Sequence, residues 1–201
     1  MDLISQGGPV MWPLLALSVA ALAVMVERLF AFAALRLPGD AVQDTLLAAA
    51  RDGNPEPALA ELRAASPLLE PLGRALFGPG DAAQRERVAL VALEDVLDRL
   101  ERRLPVLAAT ARVAPLLGLL GTVLGMISTF SRLASAPGAI DLTTLADGIW
   151  QALITTAAGL FLAIPALLAH QCFLRRSSRA GAAMQRLANL VLAQAPQGTG
   201  R

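Results

Sequence analysis

Three long stretches of apolar and small residues dominate the pattern along this chain. They cover residues 3–26, 113–131 and 148–174, and none of them contains Lys, Arg, Asp or Glu. A helix needs about 20 apolar residues to span the roughly 30 Å of hydrocarbon in a bilayer. The pattern therefore predicts a membrane protein with three transmembrane helices.

Between the first and second stretches the pattern is typical of short helices. Asp40 is expected to cap a helix that ends at Gly53, and a second short helix is expected to follow Asn54. Beyond them, Pro and Gly residues are predicted to break helical structure. These residues are Pro67, Pro71, Gly78, Pro79 and Gly80.

One long helix is predicted over residues 81–130, where apolar residues keep helical spacing into the second apolar stretch. Pro105 and Pro115 would kink it, because each lacks a backbone N–H. The segment after Leu174 is expected to prolong the third transmembrane helix as an amphipathic helix. No strand-like alternation or repeat is evident, so the predicted fold class is an all-α membrane protein in which helices two and three extend beyond the bilayer.

The placement of arginine predicts the orientation. All 17 basic residues are Arg, and ten of them lie within residues 28–103. Four more lie within residues 175–186, just after the third stretch, whereas only Arg132 lies between the second and third. The positive-inside rule therefore places the N-terminus in the periplasm and the C-terminus in the cytoplasm. The first residues include Asp2 and no basic residue, unlike a secretory signal, so the first transmembrane helix is expected to be retained.

These patterns divide the chain into six predicted segments. In order they are the periplasmic end with transmembrane helix 1 (1–30), a cytoplasmic helical domain (31–112), transmembrane helix 2 (113–131), a periplasmic loop (132–147), transmembrane helix 3 (148–174) and a cytoplasmic C-terminal helix and tail (175–201).

Composition supports a membrane location and disfavours other function classes. The chain is 55% hydrophobic, its mean hydropathy is +0.57, and its net charge of +1 does not suggest nucleic-acid binding. HExxH, CxxC, GxSxG and P-loop motifs do not occur, so we expect no enzyme activity, no metal site and no cofactor. The single Cys172 and the single His170 are interpreted as packing residues near the cytoplasmic surface.

Small and hydroxylated residues inside the second and third stretches have two possible meanings. Small residues allow helix backbones to approach closely, and tight packing alone would account for Gly118, Gly121, Gly125 and Gly159. The alternative is functional, because Thr122 and Thr156 fall at similar depth near the middle of the membrane and could line a polar path. The stretches contain no carboxylate, so a proton crossing here would need one from another chain.

Two motifs in these stretches resemble the MotA/TolQ/ExbB proton channel family, and the match is closest to its three-span ExbB/TolQ branch. They read VAPLLGLLGTVLGMI at 113–127 and GIWQALITTAAGL at 148–160, with AIPA following at 163–166. The resemblance implies a homopentameric helical bundle in the bacterial inner membrane. Its central pore would enclose a dimeric ExbD- or TolR-like partner whose single span carries an Asp.

The resemblance also implies a mechanism and a set of pore residues. Proton flow would deliver work to a TonB- or TolA-like protein, and Thr122 and Thr156 match threonines that line the family's pore, with Thr155 and Gln151 beside them. Gln151 departs from the pattern, because many ExbB and TolQ chains have Glu there. A Gln does not carry a proton near neutral pH.

Three functions of different class follow from these observations. The favoured one is a subunit of a proton-driven motor, and the alternatives are a non-conducting scaffold for partner helices and, more distantly, an intramembrane enzyme. Membrane lipids are further expected partners. Arg102, Arg103 and Arg112 either contact anionic headgroups or are ordinary positive-inside residues.

Overall fold

The computed structural model of the chain describes residues 7–35, 39–135 and 142–194, and this part is helical without strands. Within these ranges seven α-helices follow one another, with one 3₁₀ turn at Pro67–Leu69 between the third and fourth. They are α1 (Met11–Ala34), α2 (Asp40–Asp52), α3 (Glu56–Ala65), α4 (Glu70–Leu76), α5 (Ala82–Glu101), α6 (Leu104–Ser135) and α7 (Leu142–Gln194). The all-α class is confirmed.

Helices α1, α6 and α7 are long and apolar enough to cross a membrane. This confirms the three predicted transmembrane helices, but the bounds of the first differ. Helix α1 begins at Met11, and Gly8, just before it, has a positive φ of 72° that is incompatible with a helix. Residues 3–6 of the predicted stretch lie outside the described part of the chain.

The short helices follow the prediction with one correction at their start. Helix α2 begins at Asp40, so the N-cap residue is Gly39 and not Asp40. The carbonyl of Gly39 accepts the N–H groups of Val42 and Gln43, both at 3.0 Å. Gly53 ends the helix in the left-handed conformation at φ 68°, as expected for a C-terminal glycine. The side chain of Asn54 accepts the N–H of Glu56 at 3.3 Å.

The predicted break at Pro67 is confirmed, because α3 ends at Ala65 and Ser66 is extended before the 3₁₀ turn that Pro67 opens. Pro71 is not a break, because it lies in the first turn of α4. Proline is tolerated in a first helical turn because the N–H that it lacks has no intrahelical partner there. Helical structure stops again at 77–81, where Gly80 has a φ of 122°.

The prediction of one long helix over residues 81–130 is wrong, because α5 ends at Glu101 and α6 begins at Leu104. Asp81 caps the start of α5 by accepting the N–H of Gln84 at 2.6 Å. At the other end, the buried Arg28 donates to the carbonyls of Arg99 and Leu100 at 2.9 and 3.0 Å. A cation at the C-terminus of a helix satisfies carbonyls that would otherwise lack partners.

The chain breaks between α5 and α6 where a kink at Pro105 was predicted, and Pro105 is the second residue of α6. Pro115 lies inside α6, and Pro165 inside α7. Helix α7 runs for 53 residues, which confirms that the third transmembrane helix continues into the C-terminal segment.

Contacts divide the chain into two compact units. The first combines Met1–Glu27 with Arg103–Cys172, and the second combines Arg28–Arg102 with Phe173–Arg201. In the first unit, Val10 and Leu14 pack against Ala114 and Ala163.

In the second unit, the rings of Phe32 and Phe173 stack with centroids 5.4 Å apart. Glu70 bridges Arg63 and Arg74 there, at 2.8 and 2.6 Å.

Candidate functional site

The candidate site lies in the first unit, where α6 and α7 pack against each other with small residues facing. Moving along α6 from Ala114 through Gly118 to Gly121, the facing residues on α7 are Gly159, Thr156 and Thr155. As the residue numbers rise along α6, the numbers of the residues that face them on α7 fall. The two helices are therefore antiparallel.

The closeness of the helices depends on three of the four predicted packing glycines. A β-carbon at Gly159 would lie 2.5 Å from the carbonyl oxygen of Ala114, and one at Gly118 would lie 3.0 Å from Cα of Thr156. At Gly121 it would lie 2.5 Å from Cγ2 of Thr155. At Gly125 the nearest atom is 3.5 Å away, which is ordinary van der Waals contact. Alanine therefore fits at Gly125 without displacement of its neighbours.

A further glycine contact was missed by the sequence reasoning. Gly148 meets the side chain of Thr129 more closely than a β-carbon would permit. Thr129 is buried and donates its hydroxyl to the carbonyl of Gly125 at 2.8 Å. The helical spacing of Gly148, Ala152 and Gly159 along one face of α7 could have revealed this contact.

The three predicted pore threonines occupy different positions. Thr155 is fully buried between α6 and α7, and its hydroxyl donates to the carbonyl of Gln151 at 2.7 Å. Thr156 and Thr122 are partly exposed. Thr122 donates to Leu119 on its own helix at 2.6 Å, whereas Thr156 donates across the contact to the carbonyl of Gly118 at 3.1 Å.

Thr122 and Thr156 lie about one helical turn apart along the helix pair. Thr156 faces Gly118, and Thr122 is one helical turn from Gly118, a rise of about 6 Å. Each hydroxyl uses its proton for a backbone bond and keeps lone pairs that can accept another hydrogen bond. The two threonines can therefore offer acceptor oxygens to a group that approaches this part of the helix pair.

Gln151 lines an open polar cavity of about 530 Å³ that does not include Thr122 or Thr156 among its lining residues. Its side chain also lies beside Gly8, where an added β-carbon would be 2.9 Å from Nε2. The cavity is lined by residues of α6 and α7, namely Ser128, Thr129, Arg132, Thr144, Asp147, Gly148, Trp150 and Gln151. A second cavity of about 360 Å³, between α1 and α7, is lined mainly by apolar side chains such as Leu14 and Phe161.

The remaining residues noted in the sequence do not join this site. Cys172 is exposed, so the prediction that it packs inside the chain is wrong; the neighbouring Phe173 occupies the buried face of α7 instead. His170 is partly buried. Arg103 forms an ion pair with Glu27. Within the described residues, no group of three or more His, Cys, Asp or Glu is placed to hold a metal ion.

Comparison with known proteins gives consistent matches. The sequence model of the MotA/TolQ/ExbB proton channel family matches residues 68–186. The chain is 33% identical to the biopolymer transport protein exbB1 of Vibrio cholerae over 192 residues, which are 92% of this chain and 84% of that protein. It is 38% identical over 189 residues to a putative ExbB-like biopolymer transport protein of Synechocystis, covering 89% of this chain and 72% of the relative.

A TolQ protein of the Tol-Pal system of Pseudomonas aeruginosa is 45% identical over 91 residues, covering 45% of this chain and 39% of the relative. The region matched by the family model contains both the α6–α7 contact and the polar cavity.

Proposed function

This chain belongs to the MotA/TolQ/ExbB proton channel family, and we propose that it is a subunit of a motor driven by the proton-motive force. It is an ExbB/TolQ-like membrane component of TonB or Tol systems, in a family of channel and transport proteins, and a multi-pass protein of the bacterial inner membrane. The proposal adds the motor mechanism, its partners and its orientation.

The observation that carries the proposal is the pair of partly exposed hydroxyls at Thr122 and Thr156. They lie within about one helical turn of each other on a helix pair that packs closely at Gly118 and Gly159. In an oligomer that places this face inward, the hydroxyls would form a polar ring. We propose a homopentamer, as the family resemblance implies, with Gln151 further along the same path. Thr155 would support the ring from within the helix contact.

The partner in this proposal is an ExbD- or TolR-like protein with a single span. While it is protonated, its membrane Asp would donate a hydrogen bond to a threonine oxygen of the ring, since a neutral carboxyl group carries one O–H donor. The flow of protons would turn one part of the assembly against the other. The work would reach a TonB- or TolA-like protein, with the N-terminus of this chain in the periplasm and its C-terminus in the cytoplasm.

A non-conducting scaffold is the second candidate, and Gln151 favours it. An amide at this position does not take up or release a proton near neutral pH. The scaffold would hold partner helices in the same inward face without passing protons. The two candidates differ in one measurable property, which is proton flux.

The experiment compares the double variant Thr122→Val/Thr156→Val with the wild type in proteoliposomes that contain the chain, its partner and an internal pH dye. Desolvating a carboxyl group without a hydrogen-bond partner costs several kcal/mol, so we expect proton flux to fall by at least about tenfold. Valine is close to threonine in shape, so native mass should not change. Gln151→Ala should reduce flux less.

Thr110→Val is the matched control. Thr110 is buried and donates to the carbonyl of Val106 at 2.9 Å, so this variant removes a similar hydroxyl outside the proposed ring. Wild-type flux in the double variant would contradict the threonine ring. An absence of flux in the wild-type complex would contradict the motor and support the scaffold.

A further inference from the structure

We propose that Asp147 is the proton acceptor of the polar cavity between α6 and α7, and that it passes protons into the path toward Thr156. This inference rests on the proposed function and adds a residue and a route to it. Asp147 lies outside the three apolar stretches of the sequence, directly before the third, and neither of the two motifs includes it.

The polar cavity between α6 and α7 differs in chemistry from the apolar cavity of the same unit. Its eight lining residues include hydroxyl groups, one amide, one carboxylate and one guanidinium, whereas the cavity between α1 and α7 is lined mainly by apolar side chains. Asp147 is the carboxylate, and Arg132 on α6 is the other charged residue that lines the cavity. A cavity of about 530 Å³ has room for on the order of ten water molecules. It can therefore hold a chain of water.

Asp147 is also the one acidic residue on either helix. Helix α6 contains no Asp or Glu over its 32 residues, and Asp147 is the single acid among the 53 residues of α7. Carboxylates are the usual proton carriers of membrane proteins, whereas amides and hydroxyls do not change charge near neutral pH. His170, the residue of α7 whose type also serves in proton relays, does not line the cavity. Asp147 is therefore the cavity residue that can take up a proton.

The position of Asp147 fits this role. It is exposed and precedes Gln151 by four residues, so the two side chains project from the same face of α7 one turn apart. Thr156 is nine residues from Asp147, an axial distance of about 14 Å. Hydrogen bonds between waters are about 2.8 Å long, so roughly four waters would bridge this distance. Gln151 lies between the two ends and can donate to and accept from such waters.

The transfer conserves protons and charge. A hydronium ion at the opening of the cavity gives a proton to a carboxylate oxygen of Asp147, leaving water, and Asp147 becomes neutral. The O–H bond of Asp147 then breaks as the proton passes to a cavity water. The water chain delivers one proton to the membrane carboxylate of the partner, and Asp147 returns to its charged form.

The test measures proton flux in the same proteoliposomes for Asp147→Asn, Asp147→Glu and Asp147→Asn/Gln151→Glu. A positioned proton-transfer group typically contributes 10²–10⁴-fold to a rate, so Asp147→Asn should lower flux by at least about tenfold. Asp147→Glu should retain most of the flux. The double variant places a carboxylate one turn further along the same cavity and should recover flux above that of Asp147→Asn, which a purely structural role of Asp147 would not produce.

Asp95→Asn is the control, because Asp95 is an exposed carboxylate on α5 in the other unit, and its flux should equal that of the wild type. Native mass should be the same for all variants. Wild-type flux in Asp147→Asn would overturn this inference and leave the motor intact. Equal loss in Asp147→Asn and Asp147→Glu, or no recovery in the double variant, would also overturn it. Absence of flux in the wild type would overturn the motor itself.

Discussion

At the scale of single residues, the threonine hydroxyl groups of the transmembrane helices donate hydrogen bonds to backbone carbonyls. Thr129 and Thr155 each donate to the carbonyl four residues earlier, and Thr122 to the one three residues earlier. This local bond is available to any threonine inside a helix. Thr156 differs because it donates to Gly118 on the other helix. The sequence shows which residues carry hydroxyls, but it does not show which of them connects two helices.

The ion pairs of Glu70 in the second unit predict how the stability of the fold depends on pH. The hydrogen bond from Arg63 lowers the pKa of Glu70 most, and the charges of Arg63 and Arg74 lower it further, whereas desolvation opposes them with an effect larger than that of either charge. A carboxyl group with a lowered pKa in the folded state stabilises the fold at neutral pH. That stabilisation is lost as the pH falls through the lowered pKa.

We therefore expect Glu70→Gln to have a slightly lower melting temperature than the wild type at pH 7, with the difference disappearing in acid. The measurement is thermal unfolding in detergent across pH. Glu61→Gln, which removes an exposed carboxylate from α3, is the control. A difference between Glu70→Gln and wild type that persists at low pH would contradict the ion pair as its cause.

At the scale of helices, the approach of α6 and α7 depends on where each glycine faces. The four packing glycines look alike in the sequence, but their surroundings in the structure differ. A β-carbon at Gly159 would meet the backbone oxygen of Ala114 at 2.5 Å, whereas one at Gly125 would be 3.5 Å from the β-carbon of Ala152. A backbone atom cannot move aside by a change of rotamer. The two positions should therefore respond differently to the same substitution.

We expect Gly159→Ala to destabilise the helix pair by about 1–3 kcal/mol, the usual cost of overpacking, and Gly125→Ala to change stability little. The measurement is the free energy of unfolding in detergent, or the loss of the native oligomer on heating. Gly125→Ala is the matched control, since it adds the same methyl group to the same contact. Equal stability of the two variants would contradict the packing described for α6 and α7.

At the scale of the whole molecule, the spanning helices leave much apolar surface uncovered within a single chain. Large apolar side chains are exposed on all three helices. Examples are Trp12 and Leu22 on α1, Leu116 and Ile127 on α6, and Phe161 on α7. In water such surface would aggregate, whereas lipid and further copies of the chain can cover it in a membrane. The same exposed apolar surface can therefore serve both membrane insertion and oligomerisation.

Orientation is a prediction at this scale as well. Residues 31–112 should resist trypsin added to intact spheroplasts, because the arginines there oppose translocation across the membrane. The same region should be cleaved in inverted membrane vesicles, which serve as the control. Cleavage from outside between Arg51 and Arg87 would reverse the proposed orientation.

Much of the architecture could be read from the sequence because hydropathy and length are local properties. The three apolar stretches, the C-terminal glycine of α2 and the family motifs depend on neighbouring residues alone. Helix bounds were less predictable. The break between α5 and α6 falls within an apolar pattern that continues across it, and Arg28, about 70 residues earlier in the chain, supplies hydrogen bonds to the end of α5.

For the candidate site, the sequence by itself determined the residue types: small residues for close helix approach, hydroxyls predicted at mid-depth and no acid inside the apolar stretches. Only the tertiary structure decided their surroundings. It buried Thr155 against Gly121, paired Thr156 with Gly118, and brought Asp147 and Gln151 to one cavity with Arg132. The physical reason is that the face a residue presents depends on the register between two helices, which is set by contacts between residues distant in the chain.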